Sequence, residues 1–231
     1  MGPIATEFPK WQEWAKCIKQ DVQNRLVYPR QIFRTFTQVV NANEKHVVEH
    51  DGDVFVTFVA KCYVSHTAMA IRSHVKLDNK SISLLRLLMQ IRDCAGQFTF
   101  QFFLEQFPID PAYVDWQPVT FAPFSDDGRS VSSKIVQRDI EILRTLTIQI
   151  EELADRTLAH LDKRGFDGKV TFGELDACVD AFDKLVCKYL KLTAGAGYAT
   201  LEPTILCDWQ KIFTVPLDIR NSGQSSGEWD E

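Results

Sequence analysis

The segment from Ala154 to Leu175 reads ADRTLAHLDKRGFDGKVTFGEL and holds the residues best suited to chemistry. His160 follows Leu146 and Leu153 at intervals of seven, so an α-helix would place it on their face, with Arg156 one turn away. A histidine in that position can act as a general acid or base, and an arginine can stabilise a phosphate. RNA cleavage needs little more, because the ribose 2′-hydroxyl is its own nucleophile. The alternative, which spacing alone favours, is a partly buried histidine with a structural hydrogen bond.

The second half of the same segment matches the latter part of a calcium-binding EF-hand loop. Gly168 would stand at the bend and Glu174 would be the bidentate acid. The first and third positions of such a loop normally supply carboxylates, but here they are Lys163 and Gly165. We therefore predict no calcium site. Gly165 and Gly168 are interpreted as a connection between two helices, and Glu174 as an acid in the first turn of the second helix.

Two further histidine patterns were weighed as metal ligands. The string KHVVEH, residues 45–50, contains the HxxEH spacing of some zinc peptidases, but the neighbouring turn residues predict a loop and no third ligand follows. His66 and His74 would share broadly similar faces of one helix, which core helices commonly carry without a metal. The sequence thus predicts neither a metal site nor a cofactor.

The elements that must position these side chains are helical, because apolar residues recur at intervals of three and four over most of the chain. The predicted fold class is all-α. The predicted helices run from about Pro9 to a turn before Pro29, Arg30 to Val40, Val54 to Val75, a Ser81 cap to Ile91, Val131 to Leu161 and Phe172 to Leu192. Residues 98–107 fit a short helix or a strand. Residues 108–129 contain four prolines and predict a long ordered loop or a linker.

We predict a single domain over residues 1–216, an antiparallel helical bundle with this long proline-rich loop, followed by a disordered polar tail at residues 217–231. The Val131–Leu161 and Phe172–Leu192 helices are predicted to form its central antiparallel pair. An apolar seam of Leu143, Leu146, Ile150 and Leu153 would line the first of these helices and end at His160. The phenylalanine-rich residues 98–107 are expected to be buried rather than to form a partner surface.

The amino-acid composition indicates a cellular location but does not identify a binding partner. The chain has 26 basic and 31 acidic residues, so contact with RNA would need a local basic patch. Six scattered cysteines without a CxxC pair are typical of reduced, buried thiols, and hence of a cytoplasmic protein. We recognise neither a signal peptide nor a run of 18 apolar residues, so we predict a soluble protein without membrane contact.

The string ADRTLAHLD, between two predicted helices, resembles the RNxxxAHxD pattern of HEPN-domain proteins. The similarity is greatest to the abortive-infection-type branch found in bacterial defence and toxin–antitoxin loci. Ile71–Ile91 and Asp208–Pro216 are also similar to that branch, so the resemblance spans most of residues 10–216. It implies a HEPN-like helical bundle, usually a homodimer. It also implies a metal-independent endoribonuclease site where Arg and His of each chain meet at the dimer interface.

Transferred position by position, His160 matches the family histidine, Asp155 the polar residue after the family arginine, and Asp162 the acid after the AH pair. The family arginine does not match, because Ala154 occupies its place. Arg156, or an arginine from elsewhere such as Arg72, Arg86 or Arg164, would have to bind the phosphate instead. The catalytic candidates are therefore His160, Arg156 and Asp155, and the RNA-binding candidates are Arg156, Lys163 and Arg164.

The function predicted from this resemblance is that of a HEPN-like protein in a bacterial defence or toxin–antitoxin type system, acting as a metal-independent endoribonuclease through His160 and a displaced arginine. The alternative is a catalytically inactive HEPN-like protein for dimerisation, RNA binding or assembly. The expected partners are a second copy of the chain, RNA, and a cognate antitoxin or defence protein. A C2 dimer would bring two copies of His160 near each other.

Overall fold

The computed structural model describes residues 3–49, 51–78, 80–108, 116–159 and 168–213. In these ranges the backbone is mostly helical and forms no strand beyond one isolated bridge between Thr99 and Ser130, which confirms the all-α class. The α-helices are α1 Pro3–Val22, α2 Tyr28–Ala42, α3 Glu44–Glu49, α4 Asp53–Val75, α5 Leu84–Asp93, α6 Phe100–Gln106, α7 Trp116–Phe121, α8 Ser133–Leu153 and α9 Phe172–Ala194. The predicted tail, residues 217–231, lies outside the described residues.

Four long helices and α5 surround the core. Helix α9 lies along α1, while α8 packs against α4, α5 and α9. Helices α8 and α9 are antiparallel neighbours: the Cys178 thiol donates to the carbonyl oxygen of Leu146 at 2.9 Å, and Lys188 Nζ lies 2.6 Å from Asp139 Oδ2. The predicted antiparallel arrangement is thus present. However, the bundle is not built around this pair alone, because α1 is the principal neighbour of α9.

The first two helices are joined without the predicted turn. A π-helical stretch, Gln23–Val27, connects α1 to α2, and the Tyr28 amide donates to the carbonyl oxygen of Gln23, five residues back. Pro29 has no amide hydrogen, and its ring clashes with the carbonyl four residues earlier in a regular α-helix. A wider π turn accommodates the proline while the backbone stays helical. The predicted break before Pro29 is therefore wrong.

Three short elements also differ from the prediction. The cap of α5 is Ser83 rather than Ser81, since the Ser83 hydroxyl accepts from the Arg86 amide at 3.3 Å. Residues 116–124, within the predicted long loop, form α7 and a 3₁₀ turn, Ala122–Phe124. The predicted loop at residues 45–50 is helical in α3, up to Glu49. None of these short segments carries a long apolar period, so tertiary packing and local caps decide them.

The phenylalanine-rich residues 98–107 are helical in α6 and contribute to the core, as expected. Phe98 and Phe103 are fully buried. The Phe98 ring meets Phe8 of α1 edge-to-face at 5.5 Å and stacks on Trp11 at 6.4 Å between centroids. Each buried aromatic side chain removes on the order of 150–250 Å² from water, so this cluster is a major source of stability.

Helix α9 begins at the predicted Phe172 and ends at Ala194, two residues beyond the predicted Leu192. At its start, the Thr171 hydroxyl accepts from the Glu174 amide, and the Glu174 carboxylate accepts from the Thr171 amide at 2.7 Å. At its end, Gly195 has a φ of 61°, and a Cβ there would lie 2.8 Å from Phe107 Cδ1. Only glycine suits that backbone and that space. The interpretation of Glu174 as a first-turn acid is confirmed.

The reciprocal cap of α9 gives a direct prediction. We expect Thr171→Ala to lower the free energy of unfolding by about 1 kcal/mol. The Glu174 amide loses its hydrogen-bond acceptor, and the Glu174 carboxylate loses the hydroxyl that helps to hold it at the Thr171 amide. Urea unfolding followed by circular dichroism measures this change. Thr171→Ser, which keeps the hydroxyl, is the matched control and should stay within about 0.5 kcal/mol of the parent. Equal loss in both variants would contradict the capping role.

Helix α4 is long and apolar enough to cross a membrane by length and composition. Its C-terminal half, however, packs in the protein core, where Ala68, Ala70 and Ile71 are fully buried. A helix that a soluble bundle buries passes the same length and composition test, and α4 fits that explanation over this half. The apolar character of its N-terminal half has another explanation, considered below.

The cysteines are all unpaired thiols, and two of them agree with the prediction of burial. Cys178 and Cys187 are buried, and burial raises the pKa of each thiol to about 12. Cys17, Cys62 and Cys207 are exposed, so the prediction of uniformly buried thiols is wrong for these three. They fall on helix faces or segments that no other element covers.

Candidate functional site

The predicted site residues fall into two groups. His160, Lys163 and Arg164, together with Asp162, lie outside the described residues. Asp155 and Arg156 lie in a π-helical turn, Ala154–Leu158, that directly follows α8.

This π turn changes the expected geometry of the site. The Ala159 amide donates to the carbonyl oxygen of Ala154 at 2.8 Å, five residues back, so the regular α-helix ends at Leu153 rather than Leu161. A π turn contains more residues than an α turn, and side chains beyond it leave the face set by the 3.6-residue period. The predicted alignment of His160 with Leu146 requires an uninterrupted α-helix, and the π turn after Leu153 interrupts it.

The predicted apolar seam of α8 is also divided between two environments. Leu143 and Ile150 are buried in the core, whereas Leu146 keeps 37% of its surface exposed and Ile142 keeps 46%. One side of α8 therefore packs against the bundle, and a second, partly apolar side faces outwards. Spacing along the sequence cannot distinguish these two sides, because residues three and four apart lie on both sides of the boundary between them.

Ala154, at the position of the family arginine, is fully buried. An arginine side chain there would have to displace core residues or bury its charge, which costs several kcal/mol without a partner. The packing around this position therefore explains why a small apolar residue occupies it. A cation near this end of α8 therefore comes from another position in the fold.

Two such cations converge on Asp155 from the end of α4. The Arg72 guanidinium donates from Nε to Asp155 Oδ1, and Lys76 Nζ lies 3.1 Å from the same oxygen. Burial raises the pKa of Asp155, but the hydrogen bonds and charges of Arg72 and Lys76 outweigh it and bring the pKa below its usual value. Asp155 is thus a carboxylate at neutral pH. It holds the end of α4 against the π turn and does not donate a proton.

Arg156 takes part in a separate ion pair, in which its Nη2 lies 2.7 Å from Oε1 of Glu152, one turn earlier. Its side chain is about one-third exposed at 32%, compared with 18% for Arg72 and 47% for Lys76. Three cationic groups and two carboxylates, those of Asp155 and Glu152, therefore share the π turn and its surroundings. These five groups carry one net positive charge, which the carboxylate of Glu151, one turn before Asp155, offsets, and the whole protein has a net charge of −5.

Comparison of the chain with protein-family models, with curated proteins and with solved structures found no match. The resemblance to HEPN-domain proteins therefore stays a prediction from the sequence motif.

A groove lies along α8 beside the end of α4. It has a volume of about 350 Å³ and lies between the end of α4, α5 and the outer part of α8. Glu151 lines one end of the groove, one turn before Asp155, and Arg144 lines the other end, two turns earlier on α8. Leu77 and Ile148 are more than half exposed beside it, so the groove combines apolar walls with charged ends.

The histidines of the described residues do not form the predicted patterns. His74 is buried and its Nε2 lies 2.9 Å from Asp21 Oδ2, whereas His66 is exposed, so the two do not share one face. His46 and Glu49 lie on α3, and His50 is not among the described residues. Within the part of the chain that the structure describes, no three His, Cys, Asp or Glu side chains are placed to hold a metal ion.

Lys76 is the residue of this cluster that sequence reasoning missed, and Arg72 was considered only as one of several arginines. Their signal in the sequence is a spacing of four residues at the end of a long helix, which puts both cations on one face. That spacing cannot identify the acceptor. Asp155 is 79 residues from Lys76 in sequence, and only the packing of α4 on α8 brings them together.

The Asp155 cluster predicts a pH-dependent stability difference. We expect Arg72→Ala to lower the free energy of unfolding by about 1 kcal/mol at pH 7, because a partly exposed charged hydrogen bond is lost. A depressed carboxyl pKa stabilises the fold above the unfolded-state value of about 3.9, and that contribution disappears as the pH falls through the folded-state pKa. The difference between parent and variant should therefore be full above about pH 5 and should shrink below about pH 4.

Urea unfolding at several pH values from about 3 to about 7, which span the titration of carboxyl groups, measures this difference. Arg92→Ala is the matched control, since Arg92 pairs with the exposed neighbouring Asp93. A pH-independent loss in Arg72→Ala would show that Arg72 acts through packing and not through Asp155.

Proposed function

We propose that this chain is a HEPN-like protein of a bacterial defence or toxin–antitoxin type system that cleaves RNA without a metal ion. His160 is its general acid and base, and a displaced arginine binds the phosphate. One observation carries the proposal: Arg72, Lys76 and Arg156 are gathered at the π turn immediately before the segment that contains His160. A cation cluster beside a histidine is the minimum that RNA cleavage requires.

The proposed reaction is an internal transesterification. His160 accepts the proton of the ribose 2′-hydroxyl, and the 2′-oxygen attacks the adjacent phosphorus as the bond to the 5′-oxygen breaks. A protonated histidine, from the same site or from the partner of a dimer, donates to the departing 5′-oxygen. The products are a 2′,3′-cyclic phosphate and a 5′-hydroxyl, so no water and no metal enters the step.

The candidate residues have distinct parts in this proposal. Arg156 is the first candidate for the phosphate ligand, because it is on the π turn four residues from His160. It must exchange Glu152 for a phosphate oxygen, and this exchange is an ordinary competition between two oxyanions. Asp155 keeps Arg72 and Lys76 in place. Lys163 and Arg164 are proposed to bind the RNA backbone further along.

The outward side of α8 supports the proposed homodimer. Ile142 and Leu146 leave apolar surface exposed on this side, about two to three helical turns before the π turn, and a C2 axis along this side would bring the two sites of a dimer towards each other. RNA, a second copy of the chain and a cognate antitoxin or defence protein are the proposed partners. The cytoplasm, where RNA and reduced thiols are found, is the proposed location.

The test is incubation of the purified full chain with a mixed RNA pool in excess chelator. We expect fragments that end in a 2′,3′-cyclic phosphate, detected by their resistance to ligation until the phosphate is removed. Light scattering on the same sample reports the oligomeric state. Complete absence of cleavage across RNA pools and protein concentrations would overturn the nuclease proposal.

A second function is favoured by the burial of Ala154 and by the ion pairs of Arg72 and Arg156. In this alternative the chain is a catalytically inactive HEPN-like protein that dimerises, binds RNA or assembles with others. RNA binding without cleavage, with an affinity that falls steeply with salt, would identify it. Loss of one charge contact in the transition state lowers the rate of cleavage about 10²–10³-fold. A chain that lacks this contact can therefore still bind RNA while its cleavage is slow.

A further inference from the structure

The tip formed by α3 and the start of α4, residues 44–58, exposes an unusual amount of apolar surface. We refer to these residues as the α3–α4 tip. Val48 is 67% exposed, Val54 72%, Phe55 55% and Phe58 62%. Single exposed apolar residues are common on protein surfaces, but contiguous groups of them mark interaction sites. The α3–α4 tip has four large, exposed apolar side chains within eleven residues, which is typical of an interaction site.

The exposed side chains on the α4 part of the α3–α4 tip form one patch, and Val48 lies on α3, which a tight turn joins to it. Phe58 lies three residues after Phe55 and four after Val54, so helical geometry makes these three side chains neighbours on α4. The turn at Gly52 folds α3 back tightly, with the Gly52 amide donating to the carbonyl oxygen of Val47 at 2.8 Å. At their exposed fractions, the four side chains present roughly 400 Å², about half of one side of a standard protein interface.

The patch rests on a packed aromatic support. Phe55 meets Phe36 of α2 at 6.3 Å between centroids and an angle of 79°, and Phe36 lies 5.9 Å from Phe213. Phe36 itself is only 6% exposed. The ring of Phe55 is therefore held by the bundle while more than half of its surface faces outwards. A supported aromatic side chain binds a partner at a lower cost in conformational entropy than a mobile one.

The charge around the patch selects the occupant. Residues 44–61 contain four carboxylates, Glu44, Glu49, Asp51 and Asp53, and two ammonium groups, Lys45 and Lys61, which leaves two negative charges apart from the histidines. A second copy would bring acid against acid, and an anionic bilayer would be repelled. The chain's own residues 214–231 carry four acids and one arginine, so they are disfavoured too. The complementary surface is apolar and basic.

We infer that the α3–α4 tip binds an amphipathic helix of a partner protein, with apolar anchors on one face flanked by Lys or Arg. Phe55 and Phe58 supply the apolar contact, and the carboxylates of the tip pair with the basic flanks at the rim. Helices that dock by an apolar stripe use anchors three and four residues apart, the spacing that the tip itself presents. This inference does not depend on RNA cleavage, because the tip and the π turn are at different ends of α4.

The probe is a synthetic 18-residue peptide, about five helical turns long, with Leu and Phe on one face and Lys on the other. It is compared with a scrambled peptide of equal composition and with one in which Glu replaces Lys. Fluorescence anisotropy with the full chain measures each dissociation constant. We expect both altered peptides to bind at least about tenfold more weakly, because one loses the stripe and the other the charge match.

Two variants locate the site on the protein. Phe58→Asp should weaken the Lys peptide at least about tenfold, as for a central aromatic contact, and Glu49→Lys should weaken it about threefold or more. Ile148→Asp on α8 is the matched control, since Ile148 is 65% exposed and Phe58 62%, and it should bind as the parent does. Circular dichroism shows whether each variant folds. If Phe58→Asp does not fold, Glu49→Lys still tests the site.

The remaining outcomes would overturn the inference. Equal binding of the three peptides, or of all variants, would show non-specific attraction. Binding to vesicles of anionic or neutral lipid that Phe58→Asp abolishes, without peptide selectivity, would assign the tip to a membrane surface. A dimer in light scattering that Phe58→Asp dissociates would assign it to a second copy of the chain.

Discussion

His160→Ala is expected to reduce chelator-resistant RNA cleavage by about 10²–10⁴-fold, the largest functional effect of any single change in this chain. The imidazole is the only group of the proposed site that can both accept and donate a proton near neutral pH. Ala154, which stands at the usual arginine position, supplies no charge that could partly compensate for its loss. The measurement is the initial rate of cyclic-phosphate formation in excess chelator.

Arginine variants separate the two candidates for the phosphate ligand. If Arg156 binds the phosphate, Arg156→Ala should lose about 10²–10³ in rate while Arg72→Ala loses little beyond its effect on stability. Arg144→Ala, at the far end of the groove, is the matched control and should lose least. An active His160→Ala variant would contradict the role of the histidine, and a larger loss in Arg72→Ala than in Arg156→Ala would move the ligand to α4.

Asp183→Ala is expected to lower the free energy of unfolding by about 2–4 kcal/mol, a large effect for a polar side chain. Asp183 of α9 is only 8% exposed. Its carboxylate accepts from the Leu201 amide at 2.7 Å and from the Thr200 hydroxyl at 2.6 Å. Alanine would leave the buried Leu201 amide without an acceptor and would release the segment after α9 from the bundle.

Chemical unfolding of Asp183→Ala gives the loss, and two variants control it. Asp183→Asn keeps one acceptor oxygen in the same shape, and its loss should be intermediate. Asp176→Ala, on the same helix, removes an ion pair with Arg34 in which both side chains are about one-third or more exposed, so it should cost less than about 1 kcal/mol. Similar losses in Asp176→Ala and Asp183→Ala would contradict the importance of the buried carboxylate.

The long helices α4 and α9 were predictable because their apolar periods are strong and local, whereas α1 begins six residues before the predicted Pro9 and α8 ends eight residues before the predicted Leu161. Helix α4 begins one residue before its predicted start and ends at the predicted residue, Val75, and α9 extends two residues beyond Leu192 to a left-handed glycine. The short helices α3 and α7 were not predictable in the same way. They contain only one or two turns, so their stability depends on what they pack against.

The site shows the same division between local and long-range information. The sequence identified Asp155, Arg156 and His160 as a group, and it identified Ala154 as a departure from the family pattern. It could not show that Ala154 is buried, or that Asp155 pairs with Arg72 and Lys76. Those facts depend on how α4 lies against α8, and residues more than 70 positions apart carry no mutual periodicity.

By itself, the sequence determined the all-α class and the positions of α4 and α9, because backbone propensity and hydrophobic period act over neighbouring residues. Only the tertiary structure decided which side of α8 is buried, where the helix widens into a π turn, and which cations stand beside it. It also left the apolar tip of α3 and α4 outside the core. Burial and charge pairing are properties of packed surfaces, and these surfaces exist only after distant segments have met.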